Sequence, residues 1–131
     1  MLTGAKYIVM DFQENISLKK YNTFGIDAWA KYFTGFNSLA QLEEAIEFSK
    51  RIVGNGHRQT LILGGGSNIL FTKNYDGLVL KNELSGIEKI DEDENHVYVK
   101  TGAGENWHQF VLYCIKNNLA GVENLSLIPG S

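Results

Sequence analysis

The chain holds one cysteine, Cys114, and one proline, Pro129, in 131 residues. A single thiol cannot form an internal disulfide, so the fold has no covalent framework, and the composition fits a reducing, cytoplasmic compartment. Cys114 lies inside the apolar stretch from Phe110 to Lys116 and reads as a buried, unreactive thiol. Positive charge is scarce and scattered. Twelve Lys and Arg against 15 Asp and Glu leave a net charge of −3, and no basic cluster exceeds Lys19-Lys20 or Lys50-Arg51. Phosphate backbones require a basic face, so nucleic acid is not an expected partner. Long apolar runs are missing too. Tyr7-Ile8-Val9-Met10 is too short for a secretory signal, and no segment approaches the roughly 20 residues that span a bilayer. No membrane role is expected.

What is there suits an ordinary soluble domain: 44% hydrophobic and 21% charged residues, enough to build a core without staples. Residues 1–15 show no clear period and read as an extension, with Met10 an alternative start to Met1. Asn22-Thr23-Phe24-Gly25 is turn-like, and residues 28–34 read as a strand. Ser38 with Gln41 forms a capping-box signal before a helical pattern of Leu39, Leu42, Ala45, Ile46 and Phe48, which Gly54-Asn55-Gly56 closes. Thr60 to Leu63 is a short apolar strand, and Ile69-Leu70-Phe71 reads as another. Asn74-Tyr75-Asp76-Gly77 reads as a turn and Leu78-Val79-Leu80 as a strand. The pattern over about residues 18–81 predicts a parallel α/β unit. Character then changes. Residues 86–90 and 97–100 predict an antiparallel hairpin around an acidic, solvated tip at residues 91–95. A helix is predicted from Glu105 to about Asn117, with Trp107, Phe110, Val111, Cys114 and Ile115 on its apolar face.

Glycine is abundant, with 14 in the chain and three consecutive in Leu63-Gly64-Gly65-Gly66-Ser67-Asn68. Two readings of that run stand side by side. It is a tight structural turn, or it is an anion cradle in which bare backbone N–H groups approach a pyrophosphate, helped by the Ser67 hydroxyl and the Asn68 amide. It matches neither the GxGxxG dinucleotide fingerprint nor the phosphate-binding P-loop. Gly102 and Gly104 carry a bland alternative as well, a strand-to-helix corner. His57, His96 and His108 show no metal-ligand spacing, and no nucleophile, base and acid set is arranged along the chain. Ile128-Pro129-Gly130-Ser131 is turn chemistry, which implies chain on both sides, so the sequence is expected to continue past Ser131.

Four stretches in order carry a resemblance: residues 21–26 (YNTFGI), 63–70 (LGGGSNIL), 102–107 (GAGENW) and 123–130 (ENLSLIPG). Together they resemble the UDP-N-acetylenolpyruvoylglucosamine reductase family, also called UDP-N-acetylmuramate dehydrogenase, over residues 16–131. The resemblance implies an α/β (α+β) fold, the two-subdomain FAD-binding fold of the vanillyl-alcohol-oxidase/PCMH type, truncated in its second subdomain. It implies a first FAD-binding subdomain at residues 16–81, the start of a second at residues 82–131, and no substrate domain. FAD is the implied cofactor and NADPH the implied hydride donor. The implied substrate is a UDP-sugar enolpyruvate, reduced in peptidoglycan synthesis. Gly64, Gly65, Gly66, Ser67, Asn68, Pro129, Gly130 and Ser131 are the implied cofactor contacts. No catalytic residue and no metal ligand is assigned within the chain. The alternatives are a stand-alone nucleotide-binding module without catalysis, or another FAD oxidoreductase of the same fold. The open half-fold is expected to self-associate and, by itself, to lack reductase activity.

Overall fold

A computed structural model describes residues 10–52 and 59–131. Strand β1 (Gln13–Ser17) and β2 (Trp29–Phe36) precede helix α1 (Leu39–Ile52). Strands β3 (Thr60–Leu63) and β4 (Tyr75–Asn82) follow. The four strands form one sheet in the order β1-β2-β4-β3. Strands β2, β4 and β3 are parallel, while β1 adds to β2 antiparallel. A second sheet is the antiparallel hairpin of β5 (Ile87–Glu92) and β6 (Val97–Thr101), and helix α2 (Trp107–Lys116) comes after it. Among the described residues no helix is long and apolar enough to cross a membrane.

Side-chain alternation explains how β4 comes to the centre. Leu78 and Leu80 point to one face and Val79 to the other, and all three are fully buried. Leu78 and Leu80 join Phe36 and Ala45 in a core closed by α1, against which Leu42, Phe48 and Ile52 pack. Val79 joins Leu18, Ala28, Ala30, Phe33, Leu63 and Phe71 on the opposite face. Ala30 and Phe33 belong to the same cluster despite their odd spacing, and beside them the β2/β4 register shifts between Ala30 and Tyr32, where β4 carries an extra residue. Helix α1 starts as the sequence predicts. The Ser38 hydroxyl accepts the Gln41 N–H at 3.3 Å, and the Gln41 side chain accepts the Asn37 N–H at 2.8 Å. The predicted glycine stop at residues 54–56 lies outside the described residues, as do Met1 and His57.

Several expectations need correction. The parallel unit expected over residues 18–81 is present in β2, β4 and β3, but it is extended by an antiparallel β1 that begins inside the stretch read as an extension. Residues 69–71 are not a strand. They belong to the irregular crossover of residues 64–74, where Phe71 is buried beneath the sheet and Leu70 is exposed. Asn74 to Gly77 is not a turn, because β4 already begins at Tyr75. Gly77 sits inside the strand for a packing reason: a Cβ there would lie 2.1 Å from the Gln59 carbonyl oxygen. Leu39 and Ile46 are exposed rather than part of the buried helix face. Strand β5 runs on to Glu92, so the hairpin tip is formed by Asp93 to His96. There Asp93 accepts the N–H groups of Asn95 and His96 and the Tyr98 hydroxyl, and these bonds hold its carboxyl below the usual carboxylate range.

Candidate functional site

Parallel strands open their carboxyl ends to one edge, and loops leaving that edge are where open α/β sheets form clefts. Here β3 ends at Leu63, in register with Lys81 of β4, and the glycine run leaves directly from it. The crossover to β4 has no helix, so its shape comes from backbone contacts. Each contact can be traced to a residue.

The segment 18–26 is the floor beneath the glycine run. Buried Asn22 braces it. Its amide donates to the carbonyls of Leu18 and Ile26, and its oxygen accepts the Ile26 N–H, all within 2.8–3.0 Å. On this floor the Gly66 carbonyl accepts the Thr23 N–H at 3.1 Å. Gly66 has φ +70°, and a Cβ there would fall 2.0 Å from the Tyr21 carbonyl oxygen. Only glycine meets both demands. The stretch YNTFGI thus acts as a structural support for the glycine run.

The second loop arrives from the far end of the chain. A 3-10 turn at Glu123–Leu125 precedes it, and α2 holds it. Asn106 caps α2 by accepting the Gln109 N–H. The next residues of α2 grip the loop: the Trp107 indole N–H donates to the Leu125 carbonyl at 2.8 Å, and the Trp107 backbone N–H donates to the Gly130 carbonyl at 3.2 Å. His108 Nδ1 lies 2.8 Å from the Ser126 hydroxyl oxygen. Trp107 is half-buried against Phe110, with ring centroids 5.3 Å apart. Backbone N–H groups of Glu123 itself, Gly121 and Val122 hold the Glu123 carboxyl below its usual range. Gly102 and Gly104 serve the corner before α2. A Cβ on either would lie within 3 Å of backbone atoms of residues 82–85. Cys114 is buried, and burial raises its thiol pKa.

The two loops meet. The Ser131 hydroxyl accepts the Gly65 N–H at 2.9 Å, joining positions 66 residues apart. Gly64 to Ile69 and Pro129 to Ser131, with Ile62 and Leu63, line one cleft of about 350 Å³. All eight residues singled out in the sequence, Gly64, Gly65, Gly66, Ser67, Asn68, Pro129, Gly130 and Ser131, are therefore brought together. Among the described residues, no hydrogen bond uses the backbone N–H groups of Gly66, Ser67 or Asn68. Because the Gly66 carbonyl is turned down to Thr23, the Ser67 N–H of the same trans peptide points the opposite way. Consecutive unsatisfied N–H donors in a glycine turn form a concavity suited to an anion, and a hydroxyl and an amide stand beside them. None of the lining residues carries a titratable side chain.

Sequence reasoning missed four contributors. Ile62, Leu63 and Ile69 line the cleft, and the ammonium of Lys81 donates to the Gly64 carbonyl at 2.7 Å. The signal available for Lys81 was its place near the carboxyl end of the strand that pairs with Leu63.

A family model described as an FAD binding domain matches residues 32–131. The UDP-N-acetylenolpyruvoylglucosamine reductase of Amoebophilus asiaticus is 50% identical over 125 residues, which cover 93% of this chain and 35% of that protein. The reductase of the same name from Flavobacterium johnsoniae is 48% identical over 122 residues, 93% of this chain and 34% of that protein. The chain thus spans about a third of the length of these curated relatives. A crystal structure of UDP-N-acetylenolpyruvylglucosamine reductase from Thermus caldophilus superposes with a TM-score of 0.64 at 22% identity, covering 93% of this chain and 40% of that one. That likeness shows a shared α+β fold. With its glycine cradle, its fold and a family match running from β2 to Ser131, the chain belongs to the FAD binding domain family, whose cofactor is FAD.

Proposed function

We propose that this chain forms the pyrophosphate-holding part of an NADPH-dependent flavin reductase. The reductase would convert a UDP-N-acetylglucosamine enolpyruvate to UDP-N-acetylmuramate in the cytoplasm; the relatives' name, UDP-N-acetylenolpyruvoylglucosamine reductase, supports the substrate and the reduction. The observation that carries this reading is that, among the described residues, the N–H donors of Gly66, Ser67 and Asn68 have no hydrogen-bond partner, in a cleft that the Pro129–Ser131 loop also lines. A diphosphate fits such a cradle because its oxygens need several donors at close range and no Cβ in the way. In this reading Gly64 to Asn68 hold one side of the FAD pyrophosphate and Pro129, Gly130 and Ser131 the other. Residues 16–81 then form the first flavin subdomain and residues 82–131 the start of the second. Bound FAD supplies hydride chemistry, with NADPH as donor and the enolpyruvyl group as acceptor. The chain's own residues position the cofactor. Trp107 and His108 keep the second loop against the first, and the 18–26 floor keeps the first loop rigid.

A second reading, a nucleotide-binding module without catalysis, is favoured by the absence of any titratable side chain among the residues lining the cleft. Titration of the purified chain with FAD, followed by quenching of flavin fluorescence, tests the cofactor site. Saturable binding that ADP competes away supports the cradle. Binding that ADP leaves untouched, or none at all, refutes it. The two readings part when the gene's complete product is assayed for NADPH oxidation dependent on the enolpyruvyl sugar nucleotide.

A further inference from the structure

Lys81 is the one cation that touches the cleft-forming backbone among the described residues, and it does so from behind. It is the penultimate residue of β4 and pairs in register with Leu63, the last residue of β3. Strand alternation sends its side chain to the same face as Val79, beneath the departing glycine run. From there its ammonium donates to the Gly64 carbonyl at 2.7 Å, in a partly buried position. The peptide that follows is trans, so its carbonyl and its N–H point in opposite directions. Holding the Gly64 oxygen on the Lys81 side turns the Gly65 N–H toward the second loop, where the Ser131 hydroxyl accepts it at 2.9 Å. A glycine pair has no side chain to choose between the two peptide orientations. The contact that makes the choice is the one to Lys81.

We propose that Lys81 is the positioning residue of the anion cradle. It fixes the Gly64–Gly65 peptide so that the two loops clasp, and it places a positive charge behind the donors that would face a diphosphate. The inference rests on the cradle reading given above. A charge-assisted hydrogen bond of this kind contributes enough that losing it lowers ligand affinity about 10- to 100-fold.

The test compares the chain with its Lys81→Met and Lys81→Arg variants by three measurements: FAD affinity from flavin fluorescence at low and high salt, thermal midpoint without ligand, and amide correlation spectra of Gly64 to Asn68. Lys81→Met is expected to weaken FAD binding at least tenfold, to reduce its salt dependence and to shift the Gly65 amide signal, with a midpoint lowered by only a few degrees and the chain still folded at the temperature of the titration. Lys81→Arg is expected to restore affinity to within a few-fold. Unchanged FAD affinity in Lys81→Met overturns the proposal. So does a loss of affinity that follows the midpoint and that Arg does not rescue. If no form binds FAD, the cradle reading itself fails. The Gly65 amide then decides the positioning role separately: a shift in Lys81→Met but not in Lys81→Arg sustains it, and an unmoved signal overturns it.

Discussion

Gly65 and Gly66 are neighbours in sequence but should respond oppositely to substitution. In Gly66→Ala the new methyl would meet the Tyr21 carbonyl oxygen at 2.0 Å, its carbon at 2.9 Å and Asn22 Cα at 3.1 Å. These are backbone atoms of a loop braced by three Asn22 hydrogen bonds, so no side chain can swing aside. The left-handed φ of +70° adds about 1–2 kcal/mol for any residue with a Cβ. Moving the floor away also breaks the bond from the Thr23 N–H to the Gly66 carbonyl, at about 1–3 kcal/mol. The sum is about 2–5 kcal/mol, which for a chain of this size corresponds to a fall of roughly 8–20 °C in thermal midpoint. At Gly65 the nearest atoms to a new Cβ belong to Gly130 and Ser131 at 3.7 Å, an ordinary contact, and φ is not positive. Gly65→Val should therefore leave the midpoint within about 3 °C, a change of under 1 kcal/mol. It should nevertheless weaken FAD binding at least tenfold, because the side chain projects toward the second loop across the cleft. Thermal unfolding by circular dichroism and FAD titration of the same samples measure both effects. The docked-loop reasoning is refuted if Gly66→Ala melts with the parent, and the two-loop cradle is refuted if Gly65→Val binds FAD normally.

Trp107→Phe keeps the ring beside Phe110 but removes the indole N–H donated to Leu125; FAD affinity should drop about 3- to 10-fold, the effect of about 1 kcal/mol, and an unchanged titration would show that α2 does not hold the second loop. The Glu123 carboxyl, held below its usual range by local N–H groups, contributes order to residues 121–125 that is present above the ordinary Glu value and lost as pH falls through the depressed folded one. Amide exchange at Leu125 should accelerate in that acid window in the parent and be insensitive to it in Glu123→Gln. Cys114, with its pKa raised by burial, should resist thiol reagents at pH 8 in the folded chain and react promptly in denaturant, and fast labelling of the native state would contradict its burial. The chain alone is expected to show no NADPH oxidation dependent on the enolpyruvyl nucleotide, since no acid or base lines the cleft; measurable turnover would place a proton donor where none is visible.

Local chemistry wrote several features into the sequence alone. The capping box at Ser38 and Gln41, the apolar face of Phe110, Val111 and Cys114, and the hairpin flanking the acidic tip depend on contacts a few residues apart, which periodicity and capping preferences report directly. The glycine run was legible as a place of close backbone approach because glycine at three successive positions is costly unless backbone must approach something, and its reading as a cofactor site came from the resemblance. Other features were decided only by tertiary structure. Asn74 to Gly77 has turn composition, yet β4 begins within it because Tyr75 pairs with Ala30 of β2, and Gly77 is required by the nearby Gln59 carbonyl. Residues 69–71 have strand composition, yet Phe71 is drawn under the sheet and no neighbouring strand remains for them to pair with. β1 is polar and short, and it exists because the open edge of β2 accepts it. The junction of Gly65 with Ser131, and the reach of Lys81 to Gly64, join positions 66 and 17 residues apart. No local rule reads such pairs. They follow from the register that buries Leu78, Val79 and Leu80, which places the ends of β3 and β4 side by side.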